Sequence, residues 1–412
     1  MKAVIIAAGK GTRMGPLTES RPKAMLPVAN KPLLEHIILA LKNAGITKIL
    51  IVVGYCKEKI TEYFEDGSML SVEIDYLEQR NQKGTADAIA VARNTINERF
   101  MVANGDVIVS GSDIKKVCDT RGELILAARK VANPKEYGIL YVKGGRVEKI
   151  VEKPKKSIST LANAGIYVFE PSIFEAIENT SPSPRGEYEI TDSIQFMIDS
   201  GKEARYVLLE QWQDIGFPWH LLDANEKMLR EGQNIEWEIK GEVEPYATLK
   251  GNAAVGEGTI IRNGAYITGP VVIGKNCDIG PNCYIRPATC IGDDVKIGNA
   301  VEVKNSVIMN GTNIGHLSYV GDSIIGEKCN FGAGTKVANL RHDGRTVLVE
   351  LGGRKFDSGR KKLGVIMGDD VHTGINSMIN VGTTIASGAF INPGEFVKGW
   401  RNTSDLLRTH VL

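Results

Sequence analysis

Two glycines and two cations near the start of the chain are suited to holding phosphates. Residues 9–13 (GKGTR) follow the apolar residues 4–6, which predict a strand buried on both faces, and Lys23 follows in an Arg-Pro-Lys run. Glycine lacks a Cβ, so its backbone N–H groups can approach a phosphate closely, while Arg13 and Lys23 supply positive charge. The spacing G-x-x-x-x-G-K-[ST] is absent, which excludes a P-loop ATPase. The pattern predicts a nucleoside triphosphate site; an ordinary strand-to-helix turn with solvated cations is the alternative.

Carboxylates further along could hold a metal ion and a sugar. Asp106 ends an Asn-Gly-Asp run, and Asp214 ends a Trp-Gln-Asp run. Attack of an anionic nucleophile on a bound triphosphate requires cations that offset the charge repulsion, and Mg²⁺ accepts one or two protein carboxylates. Glu152 and Lys153 pair an acid suited to sugar hydroxyls with a lysine suited to a sugar phosphate, and Asn163 offers an amide. Each run alone is equally consistent with a turn or a solvated strand end.

The second half of the chain carries polar side chains that a purely structural repeat would not need. Among glycines and aliphatic residues stand Arg286, Lys304, His316, Tyr319, Asn330 and Asn339. A neutral imidazole suits a general base, because its ordinary pKa lies near working pH. A lone histidine is nevertheless more often a solvated surface residue, so the context of His316 must decide its role.

Alternating helix-like and strand-like patterns up to about residue 228 predict the elements that position these groups. Apolar residues recur at helical spacing over 33–44 and stop at Gly45, and buried strands are predicted at 49–53 and 100–103. Such alternation predicts a mostly parallel sheet with helices on both faces. Sheets of this kind bind ligands at the carboxyl ends of their strands, where the glycine run lies.

A strict period of six replaces this alternation after Trp237. Aliphatic residues recur every six positions from Val243 to Val303, often followed by glycine, and the repeat resumes at Ile314 and again over 368–391. This period predicts a parallel β-helix, in which the aliphatic residue points inward and glycine permits the corner. The predicted organisation is a first domain over 1–228, a linker over 229–242 and a second domain over 243–412.

Composition excludes several classes of protein. A chain of 412 residues is too long for one ordinary core, and its net charge of +1 gives no field that would attract nucleic acid or a membrane surface. No apolar run approaches the roughly 20 residues that span a bilayer, and the chain enters a strand directly, so we expect a cytoplasmic protein. The six cysteines lack CxxC pairs and predict reduced thiols; a Cys277–Cys283 disulfide is the alternative.

Over residues 1–225, the motifs in this order resemble those of the sugar-1-phosphate nucleotidylyltransferases. The resemblance implies an α/β Rossmann-like domain, Mg²⁺ as cofactor, and attack of a sugar phosphate oxygen on the α-phosphorus of UTP or dTTP. It also implies individual roles. The triphosphate would be held by Gly9, Gly11 and Thr12, the leaving pyrophosphate by Arg13 and the α-phosphate by Lys23. Mg²⁺ would be ligated by Asp106 and Asp214, and the nucleotide would be bound by Gln79, Gly84 and Thr85. The sugar phosphate would be bound by Lys153, and the sugar pocket would be lined by Tyr137, Gly138, Glu152 and Asn163.

The repeat resembles the acetyltransferase half of the bifunctional N-acetylglucosamine-1-phosphate uridylyltransferase/glucosamine-1-phosphate acetyltransferases. That resemblance implies a left-handed β-helix, acetyl-CoA as co-substrate, and sites between the subunits of a trimer or a multiple of it. It implies that His316 takes a proton from the sugar amine. Arg286 and Lys304 would hold the sugar phosphate, Tyr319 and Asn330 would contact the amino sugar, and Ala333 and Asn339 would lie beside the acetyl group.

Two departures from the family pattern concern the acetyl site. The family's N-Y-D-G is here Asn339-Leu-Arg-His-Asp-Gly, and a basic loop follows up to residue 362. The loop either holds the phosphates of coenzyme A or carries solvated charge; its cations include Arg354, Lys355, Arg360, Lys361 and Lys362. The first domain is closer to thymidylyltransferases and archaeal bifunctional enzymes, so the choice of UTP or dTTP stays open, as does the choice of hexose.

The function we expect is acetylation of glucosamine-1-phosphate, followed by transfer of UMP from UTP to N-acetylglucosamine-1-phosphate. One alternative is a monofunctional glucose-1-phosphate thymidylyl- or uridylyltransferase whose β-helix serves assembly or regulation. The other is a non-catalytic scaffold with a pyrophosphorylase-like domain. A helix-like pattern at 404–412 predicts a terminal helix that could close a site.

Overall fold

The computed structural model describes residues 1–232 and 235–403. Contacts divide the chain into two units. The first unit holds Met1–Lys10, Arg21–Met25 and Leu33–Asp214, and the second holds Gly11–Ser20, Leu26–Pro32 and the chain from Ile215 onward. Because this division does not follow chain order, the domain boundaries at 228 and 243 stay predictions. The terminal helix expected at 404–412 lies outside the described residues.

Thirteen strands and seven helices precede the β-helix. The strands are β1 (Ala3–Ile6), β2 (Pro27–Val28), β3 (Lys31–Pro32), β4 (Lys48–Val53), β5 (Glu73–Glu78), β6 (Phe100–Asn104), β7 (Val107–Val109), β8 (Leu124–Lys130), β9 (Gly138–Lys143), β10 (Arg146–Glu152), β11 (Leu161–Phe169), β12 (Ala204–Leu208) and β13 (Trp212–Asp214). The helices are α1 (Leu33–Asn43), α2 (Glu58–Phe64), α3 (Thr85–Ala90), α4 (Gly111–Asp119), α5 (Ile173–Glu178), α6 (Ile190–Asp199) and α7 (Pro218–Glu231), with 3₁₀ turns at Thr12–Thr18, Lys23–Met25, Ser68–Leu70 and Pro134–Glu136. These counts refer to the described residues.

A nine-stranded sheet, in the order β5-β4-β1-β6-β11-β8-β12-β10-β9, is the frame of the first unit. Strands β5, β4, β1 and β6 are parallel, and apolar cores cover both of their faces. The prediction of a mostly parallel sheet is correct for this side. On the other side β8 and β12 are also parallel, but β11 is antiparallel to β6 and β8, and β9 and β10 form an antiparallel hairpin. Periodicity within a segment carries no information about strand direction, so it does not predict this hairpin.

Three flat faces of parallel strands form the β-helix of the second unit, and the described chain completes eight coils. The fold is the predicted left-handed parallel β-helix. Face A consists of Glu242–Val243, Ile260–Ile261, Asp278–Ile279, Lys296–Asn299, Asn313–His316, Asn330–Phe331, His372–Thr373 and Phe390–Ile391. Face B consists of Thr248–Lys250, Tyr266–Thr268, Tyr284–Ile285, Glu302–Lys304, Tyr319–Gly321, Lys336–Val337, Met378–Ile379 and Phe396–Val397. Face C consists of Ala253–Val255, Val271–Ile273, Thr289–Ile291, Val307–Ile308, Ile324–Ile325, Ile366–Met367, Thr384–Ile385 and Trp400–Arg401.

The buried residues confirm the period of six and show where it slips. Val303 is followed by the buried Ile308, and Val320 by the buried Ile325, so two coils are one residue short. Both short corners lie between faces B and C. The repeat that the sequence pattern loses after Val303 therefore continues without a break. Val243, predicted to point inward, is 40% exposed, because it belongs to the first coil and no earlier coil covers it.

The glycines that follow inward residues serve the stacking of coils. Gly274 does not adopt a left-handed conformation, but a Cβ there would lie 2.6 Å from the carbonyl carbon of Gly292 in the next coil. Positive φ angles occur instead at corner residues such as Asn276 (55°) and Asp294 (57°). The predicted role of glycine at the corner is therefore wrong for Gly274, where close approach of two backbones is the reason.

An insertion interrupts the repeat between its sixth-coil strands on faces B and C. It contains an antiparallel hairpin of Leu348–Leu351 with Arg354–Asp357. The insertion ends at an isolated antiparallel bridge between Leu340 and Lys362. The basic loop predicted from the sequence is therefore a structured excursion that returns to its starting point.

The cysteines form no disulfide in the structure. All six cysteines, at positions 56, 118, 277, 283, 290 and 329, are free thiols, so the Cys277–Cys283 disulfide is absent. Within residues 1–232 and 235–403, no helix has the length and apolar character to cross a membrane.

Candidate active sites

A lysine and two carboxylates meet at the carboxyl edge of the sheet in the first unit. Strand β6 ends at Asn104 and β7 begins at Val107, so Asp106 lies in the link between them. The Nζ of Lys23 lies 2.5 Å from Oδ2 of Asp106, and this lysine is only 8% exposed. Strand β13 pairs with β7 so that Asp214 stands opposite Val107, one residue from Asp106. The structure therefore brings these three predicted residues together.

This pair of carboxylates suits Mg²⁺. In the part of the chain that the structure describes, no group of three or more His, Cys, Asp or Glu side chains could hold a metal ion. Mg²⁺ needs only one or two protein carboxylates, because waters and substrate phosphates complete its octahedral shell. Asp106 and Asp214 are therefore a fitting ligand pair for this ion.

Gln79 and Gly84 form a tight turn before α3. The buried Gln79 donates from Nε2 to the carbonyl oxygen of Gly84 at 3.2 Å and to a carboxylate of α3 at 2.7 Å. Gly84 has a φ of 121°, and a Cβ there would lie 2.4 Å from the carbonyl oxygen of Tyr188, so only glycine fits. Thr85 Oγ1 accepts a hydrogen bond from the backbone of Ile190. The amide nitrogen of Gln79 is used inside the turn, so Oε1 is its atom suited to a base.

The predicted sugar-pocket residues surround Glu152, at the end of β10. Gly138 pairs with Glu152 across the hairpin, and a Cβ at Gly138 would lie 2.8 Å from Glu152 Oε2 and 3.5 Å from Asn163 Cβ. The charged nitrogens of Lys153 and Arg185 lie 3.5 and 3.4 Å from Glu152 Oε1. Burial raises the pKa of the Glu152 carboxyl, although Lys153 and Arg185 act in the opposite direction.

Two further residues predicted for the sugar pocket contact aromatic neighbours. Asn163 donates from Nδ2 to Tyr167 Oη at 2.6 Å. The ring of Tyr137 packs edge-on against Trp212 with centroids 5.7 Å apart. Trp212 belongs to β13, which also carries Asp214. The predicted sugar-pocket residues and the carboxylate pair are thus connected through β13.

The glycine run at 9–13 is divided between the two units. Gly9 belongs to the first unit, and a Cβ placed there would meet nothing within 4 Å. Gly11, Thr12 and Arg13 belong to the second unit. Gly11 adopts a left-handed φ of 73° before the first 3₁₀ turn, and the guanidinium of Arg13 lies 5.3 Å from the ring centroid of Phe217. Thr12 and Arg13 are exposed.

A buried carboxylate organises three of the predicted acetyl-site residues in the second unit. Asp322 stands at a short corner with its side chain 2% exposed. Its Oδ2 accepts hydrogen bonds from Lys304 Nζ at 3.2 Å and Asn339 Nδ2 at 2.6 Å, and its Oδ1 accepts from Asn305 Nδ2 at 2.8 Å. Asn339 Nδ2 also donates to Tyr319 Oη at 3.2 Å. Lys304, Tyr319 and Asn339 therefore form one cluster around Asp322.

Arg286 and Lys304 line a cavity of about 510 Å³ along the edge between faces B and C. Arg286 donates to Glu302 Oε1 at 2.8 Å, and its guanidinium lies 5.6 Å from the ring centroid of Tyr284. Helix α7 and the end of the insertion supply the remaining walls. A volume of this order, within about 300–1,000 Å³, is typical of sites for small molecules.

His316, Asn330 and Ala333 lie outside this cavity. His316 ends a face-A strand and is exposed, and Asn330 accepts a hydrogen bond from Asn313 Nδ2 at 3.1 Å on the same face. Beside them lies an exposed apolar flank, which we define as Leu317, Ile375, Met378, Phe390 and Phe396. One chain alone therefore does not bring His316 and Asn330 to the cavity.

Two residues of these sites, Asp322 and Arg185, were not predicted. Asp322 follows a glycine at a corner, where aspartate is common for local reasons, and the only signal was the missing residue between Val320 and Ile325. Arg185 donates to Glu189 Oε1 at 2.6 Å and reaches Glu152, but an arginine in a loop of serines and prolines looks the same as a solvated one.

The two units carry sites of different chemistry: a lysine with two carboxylates on an α/β sheet, and a polar cluster with an exposed histidine on a β-helix. This combination defines a nucleotidyltransferase joined to a hexapeptide-repeat acyltransferase. Residues 2–231 match the nucleotidyl transferase family, in agreement with the first of these activities. Residues 267–387 match the family described as the GMPPB C-terminal domain.

Relatives with similar sequences extend over nearly the whole chain. The chain is 42% identical to the bifunctional protein GlmU of Methanococcus maripaludis strain S2, over 95% of this chain and 93% of that protein. It is 43% identical to the bifunctional sugar-1-phosphate nucleotidylyltransferase/acetyltransferase of Sulfurisphaera tokodaii, over 96% and 97%. The chain belongs to this family of bifunctional nucleotidylyltransferase/acetyltransferases, which confirms the predicted pair of transferase activities.

Other relatives match a shorter part of the chain. The UTP–glucose-1-phosphate uridylyltransferase AglF of Haloferax volcanii is 37% identical over 56% of this chain and 98% of its own length. The crystal structure of a proposed glucose-1-phosphate thymidylyltransferase from Bacillus anthracis, in complex with sucrose, has a TM-score of 0.52 and 28% identity, covering 58% of this chain and 97% of that one.

Proposed function

We propose that the enzyme acetylates glucosamine-1-phosphate with acetyl-CoA and then joins N-acetylglucosamine-1-phosphate to UMP from UTP, giving UDP-N-acetylglucosamine and pyrophosphate. The observation that carries the proposal is the buried Asp322 cluster beside its cationic cavity. A β-helix used only for assembly has no need of buried charges, which are costly to desolvate. The Lys23–Asp106 pair of the first unit supports the second reaction.

In the nucleotidyl transfer, the chain's residues bind and position the reactants. Lys23 Nζ would donate to the α-phosphate and stabilise the charge that develops there as the sugar phosphate oxygen attacks. Asp106 and Asp214 would hold Mg²⁺, which when bound neutralises phosphate charge. Gln79 Oε1 would accept a hydrogen bond from N3–H of the pyrimidine. Uracil and thymine share that N–H group, so this contact alone does not distinguish UTP from dTTP.

In the acetyl transfer, His316 would act as the general base. The amine nitrogen of the sugar attacks the thioester carbonyl carbon while an imidazole nitrogen of His316 removes the amine proton. The tetrahedral intermediate then collapses, the C–S bond breaks, and the coenzyme A thiolate takes up a proton. Asn339, held by Asp322 and Tyr319, would position the acetyl group, with Arg286 and Lys304 on the sugar phosphate.

The acetyl site is completed, in our proposal, in a trimer or a multiple of it. The apolar flank offers exposed surface of the kind that forms protein interfaces, and His316 and Asn330 lie beside it. A neighbouring chain docked on the flank would bring its own residues to His316. Light scattering should show three chains or a multiple of three; a monomer would contradict this part of the proposal.

Transfer of a uridylyl or thymidylyl group to glucose-1-phosphate alone is the second candidate function. The observation in its favour is that the Haloferax and Bacillus proteins match little more than half of this chain. In that case the β-helix would serve assembly or regulation. A non-catalytic scaffold would not need the buried Lys23 beside Asp106.

Release of the coenzyme A thiol tests the proposal. The assay uses acetyl-CoA with glucosamine-1-phosphate, and glucose-1-phosphate is the control because it lacks the amine. Pyrophosphate release from UTP and N-acetylglucosamine-1-phosphate is measured in parallel, and chelation of Mg²⁺ should stop this second reaction alone. Thiol release with the amino sugar only is the expected result. Protein that releases pyrophosphate but never thiol would favour the second candidate.

A further inference from the structure

The cavity beside Arg286 and Lys304 has walls that the family resemblance does not describe. The cations that line it are Arg230, Arg286, Lys304, Arg360, Lys361 and Lys362. The carboxylates of Glu226 and Asp322 also line it, so six cations and two acids face one space. Such an excess of positive charge in a concave site favours an anionic ligand.

Most of these cations already have an acidic partner. Arg230 pairs with Glu226, Arg286 with Glu302, Lys304 with Asp322, and Arg360 with Asp223. In the described parts of the chain, Lys361 and Lys362 have no ion pair, and both are exposed. Two uncompensated charges match a phosphate monoester, which carries about −1.5 to −2 at neutral pH.

The backbone fixes these two lysines at the cavity. Lys362 forms the bridge with Leu340, and the following N–H of Leu363 donates to the carbonyl oxygen of Asn339 at 3.0 Å. One residue later, the N–H of Gly364 donates to the carbonyl oxygen of Asp322 at 2.8 Å. The end of the insertion is therefore tied to the same corner that holds Lys304 and Asn339.

We propose that Lys361 and Lys362 bind the phosphate of the amino-sugar 1-phosphate, together with Arg286 and Lys304, and that the insertion does not bind the phosphates of coenzyme A. This inference rests on the proposed acetyl transfer. It is favoured by the single cavity that all four cations share. The insertion would thereby select phosphorylated amino sugars over free ones.

Single and double alanine variants of Lys361 and Lys362 test this role, with Lys355→Ala as the matched control. Lys355 lies on the hairpin of the same insertion but does not line the cavity. Acetyl transfer is measured with each substrate varied in turn. We expect the double variant to raise KM for glucosamine-1-phosphate about tenfold or more, because charge-assisted contacts to phosphate are strong, and to leave KM for acetyl-CoA unchanged. Lys355→Ala should change neither constant.

Binding of the sugar phosphate and binding of the coenzyme A phosphates give opposite results in this experiment. A higher KM for acetyl-CoA with an unchanged KM for the sugar would overturn the proposal, as would no change in either constant. Calorimetric titration of glucosamine-1-phosphate without acetyl-CoA separates the inference from the proposed function. If the wild type releases no thiol but binds the sugar phosphate, and the double variant does not bind it, the cavity assignment holds and the proposed acetyl transfer fails. A wild type that does not bind the sugar phosphate would refute the assignment.

Discussion

Asp322 is the residue on which the positions of Lys304 and Asn339 depend. Alanine at this position would leave three donors without their shared acceptor. We expect Asp322→Ala to lower the free energy of unfolding by about 3 kcal/mol, since losing one member of a buried ion pair leaves the other charge uncompensated. Denaturant unfolding measures this change. Asp119→Ala, which breaks the exposed Lys115–Asp119 pair, is the control and should cost less than about 1 kcal/mol. If the two variants lose the same free energy of unfolding, water replaces the carboxylate of Asp322 as the partner of Lys304.

His316 and His342 allow the proposed base to be identified by comparison. Both are exposed histidines of the second unit, and His342 follows Asn339 closely in the insertion. We expect His316→Ala to slow acetyl transfer by about 10²–10⁴, the usual contribution of a general base, and to leave pyrophosphate release unchanged. His342→Ala should retain both activities. Loss of acetyl transfer in the His342 variant alone would show that His342, and not His316, is the base.

Gly9 and Gly84 are predicted to contact the nucleotide, but the structure distinguishes the consequences of adding a Cβ. At Gly9 the Cβ meets no atom, so Gly9→Ala should keep the melting temperature and lose pyrophosphate release, because the methyl group would occupy the path of the phosphate. At Gly84 the Cβ would collide with the backbone of Tyr188, so Gly84→Ala should lower the melting temperature and also lose pyrophosphate release. Thermal unfolding and turnover of each variant check this. A fully active Gly9→Ala variant would show that the phosphate does not contact the backbone at Gly9.

At the scale of elements, the parts that could be predicted are those set by local spacing. Helix α1 ends at Asn43 before Gly45, which has a φ of 87°, and the aliphatic residues of the six-residue repeat are buried. Both features could be predicted because the spacing of apolar residues in a segment reflects which of its own residues are buried. The antiparallel hairpin of β9 and β10 and the burial of Asp322 depend on distant partners. Gly364, far along the chain, donates its backbone N–H to the carbonyl oxygen of Asp322. No periodicity near residue 322 carries that information.

The thiols inside the β-helix predict how its stability depends on pH. Burial raises the pKa of Cys277 to about 11 and the pKa of Cys283, Cys290 and Cys329 to about 12, from an ordinary value of 9.0. The unfolded chain therefore loses these protons first, so stabilisation is complete below pH 9 and is lost as the pH rises toward 12. We expect the guanidinium midpoint to fall between about pH 8 and pH 10, and to fall less in Cys283→Val. That variant copies Val301, the equivalent residue of the next coil. Equal slopes would contradict the assignment to thiols.

At the scale of the whole molecule, part of the motif that is predicted to bind the nucleotide belongs to the unit of the β-helix. The segment Gly11–Ser20 carries Thr12 and Arg13, and within that unit Glu19 accepts a hydrogen bond from the backbone of Ser387 at 3.0 Å. Ser20 donates to the carboxylate of Asp369. Late coils of the β-helix therefore hold a segment whose sequence predicts phosphate binding.

Asp369 and Asp293 make this dependence measurable. Each caps a coil by accepting a backbone N–H, from Glu327 at 2.8 Å and from Lys275 at 2.7 Å, but only Asp369 also bonds Ser20. Alanine variants of the two aspartates should lose similar stability. We expect only Asp369→Ala to raise KM for UTP in pyrophosphate release. Equal values of KM in both variants would show that the segment does not depend on the β-helix.

The hydrogen bonds between the Gly11–Ser20 segment and the late coils of the β-helix also limit how such proteins can be recombined. A chimera joined at the predicted linker, residues 229–242, would inherit Glu19 and Ser20 from one parent and Asp369 and Ser387 from the other. The two halves of this chain are therefore not interchangeable cassettes, and an exchange that succeeds must carry both ends of these hydrogen bonds together.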